Sequence, residues 1–163
     1  MSNSIKYQTL SQHEHVHVVI DPETGMKGIL SSCHFKKGDI VFQFTAKEIL
    51  SNPSYLTIQL GEHRHILMEP DYLQFANHSC DPNFFIDTER LEFIALKDIQ
   101  LGDELLFFYP STEWKMDRPF QCECGSPQCI GIVSGAYALS EENRKKYKLS
   151  NFIASKLADT IQQ

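Results

Sequence analysis

The stretch that decides the fold is Asn77-His78-Ser79-Cys80-Asp81-Pro82-Asn83, because it carries one cysteine far ahead of three others. Those three are Cys122, Cys124 and Cys129, spaced Cys-x-Cys-x-x-x-x-Cys. Three closely spaced thiols and one remote thiol can form a tetrahedral Cys₄ zinc site. Such a site would tie a late, loop-like segment to a loop in the middle of the domain.

Length and charge limit what the chain can be. Its 163 residues fit one compact domain, and its net charge is −6 with a pI of about 5.6. Direct binding of nucleic acid is not expected, because phosphates need basic patches. A basic peptide suits an acidic surface better, through electrostatic steering.

The sequence gives no sign of membrane insertion or export. It has no apolar run of the ~18–20 residues that a transmembrane helix needs, and its first ten residues are polar and unlike a signal peptide. Four cysteines in a metal pattern plus one spare, Cys33, suit a reducing compartment. We therefore predict an intracellular protein, in nucleus or cytoplasm, with Cys33 as a small buried hydrophobe.

Most of the chain has the pattern of short β-strands separated by turns. The predicted strands cover residues 16–20, 28–32, 40–44, 55–60, 63–68, 91–96 and 105–109. Residues 55–60 and 63–68 flank Gly61-Glu62 as a hairpin. Strands this short favour several small sheets over a parallel βαβ sheet.

The last third is predicted to be helical. Ser140 can cap a helix that starts with Glu141 and Glu142, and apolar residues recur at helical spacing from Phe152 onward. We expect one or two helices packed on the domain, with a dimer contact as the alternative. The connector 110–119 is predicted to be a mobile loop.

Four blocks in order carry a family resemblance: the turn Gly25-Met26-Lys27-Gly28, the 77–83 stretch, Gly102-Asp103-Glu104-Leu105-Leu106-Phe107-Phe108-Tyr109, and the cysteine triplet. Together they resemble a SET-domain protein lysine methyltransferase with a post-SET zinc tail. The resemblance spans residues 15–132. Gln74 and Phe108 depart from it, since the family often has a basic and an acidic residue there.

The resemblance implies a mostly β fold with some α-helix. It consists of several small sheets with a pseudoknot-like crossing, in which the stretch before Tyr109 passes through a loop near Asn77. The implied division is an N-terminal segment 1–14, a SET catalytic domain 15–112, a post-SET zinc tail 113–132 and a C-terminal helical extension 133–163.

The implied activity is transfer of a methyl group from S-adenosyl-L-methionine to a lysine amine. Tyr109 would be the catalytic residue at the mouth of the lysine channel, where its hydroxyl contacts both the donor methyl and the amine. Positioning and electrostatics supply most of the rate gain in such a displacement. Without the neighbouring motifs, Tyr109 would be an ordinary amphipathic residue at a strand end.

The resemblance also implies a donor site. The Asn77 side chain would meet the donor's amino-acid end, the His78 backbone its adenine, and the backbone of Met26, Lys27 and Gly28 its methionine part. The alternatives are an Asx-turn, a core histidine and a plain hairpin turn. Glu104 is expected to hydrogen-bond His78.

Two further roles concern the product and the metal. Phe107 corresponds to the position that tunes the number of methyls added, and a phenylalanine there predicts di- or trimethylation. Structural zinc bound by Cys80, Cys122, Cys124 and Cys129 would order residues 120–132 over the donor.

The substrate is expected to be a lysine-bearing protein, with a histone tail as the family default and a non-histone protein open. A non-catalytic, zinc-stabilised peptide-binding module is the alternative function. A zinc-ribbon nucleic-acid binder fits the charge of −6 badly. The chain is a monomer or a homodimer.

Overall fold

The computed structural model describes residues 6–161. The first five residues of the predicted N-terminal segment and the last two of the helical extension lie outside the described residues. The strands are β1 Gln8–Gln12, β2 Val16–Ile20, β3 Lys27–Ser31, β4 Ile40–Gln43, β5 Thr45–Leu50, β6 Ile58–Gly61, β7 Arg64–Glu69, β8 Asn77–His78, β9 Phe84–Asp87, β10 Glu92–Ala95, β11 Leu106–Phe107, β12 Phe120–Gln121 and β13 Ile132–Val133. The α-helices are α1 Glu141–Lys146 and α2 Asn151–Ile161.

The strands form several small sheets, as predicted. Three are three-stranded, with strand orders β1-β2-β3, β4-β10-β9 and β5-β7-β6, and two are two-stranded, β8 with β11 and β12 with β13. Among the strand pairs within residues 6–161, only β8–β11 is parallel. The predicted hairpin is β6–β7, but β6 begins at Ile58 because a turn closed by Thr57 and Ser54 occupies the residues before it.

The hairpin β2–β3 brings the glycine turn to the site. Val16 and Val18 of β2 are buried on the core side, and the turn is closed by hydrogen bonds between Asp21 and residues 25–26. Gly28 in β3 has to be a glycine, because a Cβ there would lie 2.7 Å from Glu104 Oε1 and 3.2 Å from Asn77 Nδ2. Because Gly28 has no side chain, the side chains of Asn77 and Glu104 can approach the backbone of β3.

The predicted crossing is formed by β8, β11 and the loop after β8. The Ser79 amide donates to the Phe107 carbonyl at the start of that loop. At its end, Asn83 Nδ2 donates to the Glu104 carbonyl, and Asn83 Oδ1 accepts from the Leu106 amide. The 77–83 loop is therefore hydrogen-bonded to residues 104–107 at both of its ends.

Buried apolar residues form two clusters. The core cluster fills the space between the sheets; its buried members are Val16, Val18, Ile29, Val41, Phe42, Phe44, Ile58, Ile66, Met68, Leu73, Ala76, Phe84, Ile86, Phe93, Ala95, Ile99, Leu105 and Phe107. The tail cluster joins the cysteine region to the helices; its buried members are Cys80, Phe108, Cys122, Val133, Ala136, Leu139, Tyr147, Ile153 and Leu157. Tyr109 packs against both clusters.

The C-terminal helices pack on the domain, as predicted. Ser140 caps α1 by accepting a hydrogen bond from the Asn143 amide, and α2 buries Ile153 and Leu157 in the tail cluster. Lys156 of α2 also pairs with Glu62 in the β6–β7 turn. No helix within residues 6–161 has the length and apolar character needed to cross a membrane.

Two local predictions were wrong. The connector after Tyr109 does not begin as a mobile loop, because Ser111, Thr112 and Glu113 are buried and residues 109–111 form a 3₁₀ turn. Cys33 is half-buried rather than buried, with its Sγ 3.5 Å from His15 Nδ1. The proposed boundaries at residues 14, 112 and 132 stay a prediction.

Candidate active site and metal centre

Tyr109 stands where two cavities meet. Phe108 separates Tyr109 from β11, and Tyr109 starts the 3₁₀ turn, so its side chain leaves the sheet at the junction of the core and tail clusters. Its hydroxyl donates to the Ala76 carbonyl at 2.9 Å. Burial raises the pKa of the Tyr109 phenol, so it is protonated at neutral pH.

The first cavity is a mostly apolar channel of about 210 Å³. Phe107, Tyr109, Phe120, Met68 and Leu73 are among the residues that line it. Phe107 and Tyr109 are in direct contact, with ring centroids 4.7 Å apart. The shape and lining suit an aliphatic chain such as that of lysine.

The second cavity is a larger cleft of about 720 Å³, within the usual range of ligand sites. All the residues predicted to bind the donor line it: Met26, Lys27, Gly28, Asn77, His78 and Tyr109. Met26 is exposed at the rim, with 61% of its surface accessible. Tyr109 and Phe120 line both cavities, which therefore meet at these two rings.

Asn77 is held by two acceptors, one from each neighbouring segment. Its Nδ2 donates to the Lys27 carbonyl at 2.7 Å and to Glu104 Oε1 at 3.0 Å. The other oxygen of Glu104 accepts from the Tyr7 hydroxyl at 3.2 Å. The expected bond between Glu104 and His78 was wrong, because β8 turns the Asn77 side chain, and not the His78 ring, toward Glu104.

His78 is packed among aromatic rings and is neutral. Its Nδ1 accepts the Tyr109 amide at 3.1 Å, and its Nε2 lies 3.4 Å from Cys80 Sγ. Since Nδ1 accepts, the ring proton is on Nε2. Burial lowers the pKa of His78 to about 4. The ring therefore fixes the backbone of Tyr109.

The four predicted cysteines come together. The sulfur atoms of Cys80, Cys122, Cys124 and Cys129 all lie within 4.8 Å of one another, and those of Cys80 and Cys122 are 3.9 Å apart. Tetrahedral zinc with bonds of ~2.3 Å separates its sulfur ligands by about 3.8 Å. The donor set therefore fits zinc in both number and spacing.

The backbone around Cys80 is fixed from the tail side. Its carbonyl accepts hydrogen bonds from the Tyr147 hydroxyl at 2.6 Å and from Gln128 Nε2, while its sulfur accepts the Ile130 amide at 3.4 Å. Burial raises the pKa of the Cys80 thiol, and metal ligation would reverse that effect because it requires the thiolate.

Sequence reasoning missed two residues that line the channel, Glu113 and Phe120. Glu113 lay in a segment predicted to be a loop, so its burial was not foreseen. Phe120 precedes the cysteine triplet and contacts His78, with ring centroids 5.7 Å apart. An aromatic residue two positions before the first cysteine of the triplet was the one signal available for it.

Comparison with known families agrees with this geometry. The sequence model of the SET domain matches residues 26–110, just over half of the chain. The chain belongs to the SET-domain family. The matched region of this SET protein holds the glycine turn, the 77–83 loop and Tyr109, and it ends before the cysteine triplet.

Curated relatives share the same region. "Methyltransferase flvH" of Aspergillus flavus is 37% identical over 107 residues, covering 64% of this chain and 60% of that protein. "Histone-lysine N-methyltransferase, H3 lysine-36 specific" of Aspergillus oryzae is 32% identical over 103 residues, covering 60% of this chain and 10% of that protein. This SET protein thus spans 60% of the first relative and a tenth of the second.

A solved structure confirms the predicted fold. The crystal structure of KRYPTONITE in complex with mCHG DNA and SAH superimposes with a TM-score of 0.58 at 17% identity, covering 76% of this chain and 30% of that chain. At that identity the likeness concerns the fold. The mostly β SET-type arrangement of small sheets is therefore confirmed.

Proposed function

We propose that the protein is an S-adenosyl-L-methionine-dependent protein-lysine N-methyltransferase. The observation that carries the proposal is the meeting of the larger cleft and the smaller, mostly apolar channel at Tyr109 and Phe120. A transfer between two substrates that enter from opposite sides needs such a junction, because the acceptor must align with the methyl in the absence of bulk water.

The donor would occupy the cleft and supply an electrophilic methyl group on sulfur. Asn77 is preset for it, since its Nδ2 is engaged by Lys27 and Glu104 while its Oδ1 accepts no hydrogen bond from residues 6–161. That oxygen would accept a hydrogen bond from the donor's amino group. The backbone of His78 would face the adenine, and that of residues 26–28 would lie along the methionine part.

Tyr109 would position the acceptor amine. Its only proton is directed to the Ala76 carbonyl, so its oxygen keeps lone pairs that can accept a hydrogen bond from the amine. Because the phenol remains neutral at working pH, it does not hold the amine in the charged form. Both effects favour a neutral, aligned nucleophile at the junction.

Zinc would serve structure rather than chemistry. Gln121, Cys122, Glu123 and Cys124 form part of the cleft wall, so ordering the cysteine loop completes the donor site. Residues 121–133 carry little regular structure beyond the β12–β13 pair. The four thiolates would therefore supply the constraint that packing does not.

The names of the relatives support a substrate class. Several are named as specific for histone H3 lysine 36, and we propose a histone-tail lysine as the acceptor. The name of the flvH relative mentions no histone, which favours a non-histone protein as the alternative. A protein that acts on histones would work in the nucleus.

Phe107 supports addition of two or three methyl groups. Its side chain is buried and lines the channel beside Tyr109, where a phenylalanine offers no hydroxyl to hold a water or the amine. A methylated amine therefore keeps room to rotate for a further transfer.

Transfer of labelled methyl from S-adenosylmethionine to whole histones and lysine-rich peptides tests the proposal, with Tyr109→Phe beside the wild type. We expect label on lysine, mostly as di- or trimethyl-lysine by mass spectrometry. The Tyr109→Phe rate should fall by at least ~100-fold, with unchanged zinc content and donor affinity.

Two results would count against it. Wild-type protein that binds zinc but neither binds the donor nor transfers methyl would support the non-catalytic peptide-binding module. A product that stops at monomethyl-lysine would remove the role assigned to Phe107 and leave the activity intact.

A further inference from the structure

Glu113 is a buried carboxylate in the wall of the lysine channel. Only 8% of its surface is accessible, and it lines the channel together with Phe107, Tyr109 and Phe120. None of the ion pairs within residues 6–161 includes it. A carboxylate without a cationic partner in an apolar cavity costs stability, so its presence calls for a reason.

The backbone places Glu113 beside Tyr109. The Glu113 amide donates to the Tyr109 carbonyl at 3.1 Å, four residues back, as in one turn of an α-helix. Residues four apart in such a turn lie on the same face, with Cβ atoms roughly 5–6 Å apart. The carboxylate and the phenol therefore project from one turn into the same channel.

One carboxylate oxygen is fixed and the other is free. Oε1 accepts the Gln59 amide and the Thr112 hydroxyl, each at 3.1 Å. Oε2 accepts no hydrogen bond from the described part of the chain and is not fully enclosed by protein atoms. Because Glu113 lines the channel, we infer that Oε2 can be reached from it.

We propose that Glu113 accepts the proton of the substrate ammonium in the channel and so generates the neutral amine that attacks the methyl group. The inference rests on the proposed function and deepens it by naming the proton acceptor. The ammonium would supply the cation that the buried carboxylate lacks in the free protein.

The step balances in charge and protons. The ammonium R–NH₃⁺ and the Glu113 carboxylate become R–NH₂ and the Glu113 carboxylic acid. The amine lone pair then forms the N–C bond to the donor methyl, while the C–S pair stays on sulfur, which becomes a neutral thioether. The product is R–NH₂⁺–CH₃, and the Glu113 proton leaves to solvent before the next cycle.

The neighbourhood of Glu113 makes the transfer feasible near neutral pH. Burial raises the pKa of its carboxyl to about 7, which suits a general base at that pH. The other titratable or charged side chains that line the channel are Tyr55, Tyr109, Asp117 and Arg118. Tyr109 is neutral at that pH, and Asp117 and Arg118 are exposed at the outer end.

Glu113→Gln tests the inference, because the amide oxygen can still accept the Gln59 and Thr112 bonds. With the lysine substrate identified by methyl transfer, kcat/KM is measured between about pH 6 and about pH 10. This range spans the pKa values of the Glu113 carboxyl and of the lysine amine. We expect a loss of about 100-fold at pH 7 that shrinks below about 10-fold at pH 10, where about a quarter of a free lysine amine is already neutral. The matched control is Glu89→Gln, an exposed glutamate that lines neither cavity, which should keep the wild-type activity and pH profile.

A second readout does not depend on turnover. Carbon-13 NMR of glutamate-labelled protein should show one carboxyl that titrates near neutral pH in wild type and is missing in Glu113→Gln. An equal loss at every pH, or no loss, would overturn the proton role while wild-type activity leaves the proposed function standing. If wild-type protein transferred no methyl at any pH, the proposed function would be wrong. If no carboxyl of the wild type titrated near neutral pH, the proton role of Glu113 would be wrong as well.

Discussion

The core cluster and the tail cluster are stabilised in different ways, although both contact Tyr109. The core cluster lies between three-stranded sheets, whose ladders satisfy the backbone. The tail cluster has one two-residue strand pair and two short helices, and two of its buried members are cysteines. Core-cluster residues such as Leu73 and Phe107 line the channel, whereas the cleft is bordered by the cysteine segment, which we propose depends on zinc for its order.

The largest expected effect comes from removing the shared ligand. Cys80→Ser breaks the link between the 77–83 loop and the tail, where structural zinc contributes on the order of 10 kcal/mol in small zinc domains. We expect loss of bound zinc and a fall of at least ~100-fold in donor affinity by calorimetry, while the near-ultraviolet signal of the core persists.

Cys33→Ser is the matched control, because Cys33 lies outside the metal cluster. It should retain one zinc per chain and wild-type donor affinity. A Cys80→Ser protein that still bound zinc tightly would contradict the four-cysteine site, and one that lost its entire fold would contradict the independence of the two clusters.

A smaller effect is expected for the aromatic pair in the tail cluster. Phe108 is buried and stacks on Tyr147, with ring centroids 3.6 Å apart and planes at 5°. Phe108→Ala should cost about 3–5 kcal/mol, and most of the loss should appear as weaker zinc binding in a competition titration with a chelator.

Phe84→Ala is the counterpart in the core cluster, where Phe84 stacks on Phe93 at 4.5 Å. A similar cost should appear there as a lower midpoint of global urea unfolding, with zinc affinity unchanged. If both variants lowered zinc affinity equally, the two clusters would be one cooperative unit.

The smallest effect concerns the pH dependence of stability at the channel. Burial raises the pKa of Glu113 from 4.5 to about 7, so the folded state binds this proton more tightly than the unfolded state. Its contribution is fully present below pH 4.5 and is lost as pH rises to about 7. The loss amounts to roughly 3 kcal/mol at most.

Glu113→Gln should remove that loss, so the variant should be more stable than wild type above pH 7 in urea unfolding. The range from about pH 4.5 to about pH 8 spans the pKa values of Glu113 in the unfolded and folded states. Equal stability of the two proteins over this range would show that folding does not shift the pKa of the Glu113 carboxyl. A more stable but less active variant would mark a group kept for function at the expense of stability.

Much of the fold was predictable because it is encoded locally. The valine run 16–20, the turn at Gly61-Glu62 and the Ser140 cap each specify their own element. The strand 105–109 was predicted too long, since only Leu106 and Phe107 find a partner strand. Strand pairing depends on a distant segment, which local pattern does not report.

By itself the sequence determined the family blocks, the cysteine set and the residues that line the donor cleft, because spacing and residue type carry that information. Only the tertiary structure decided that Glu104 pairs with Asn77, that Tyr109 lies where two cavities meet, and that Glu113 is buried beside it. Asn77 and Glu104 are 27 residues apart, and the Gln59 amide that holds the Glu113 carboxylate is 54 residues from it. Desolvation and side-chain proximity arise only when those segments pack together, so no local pattern could encode them.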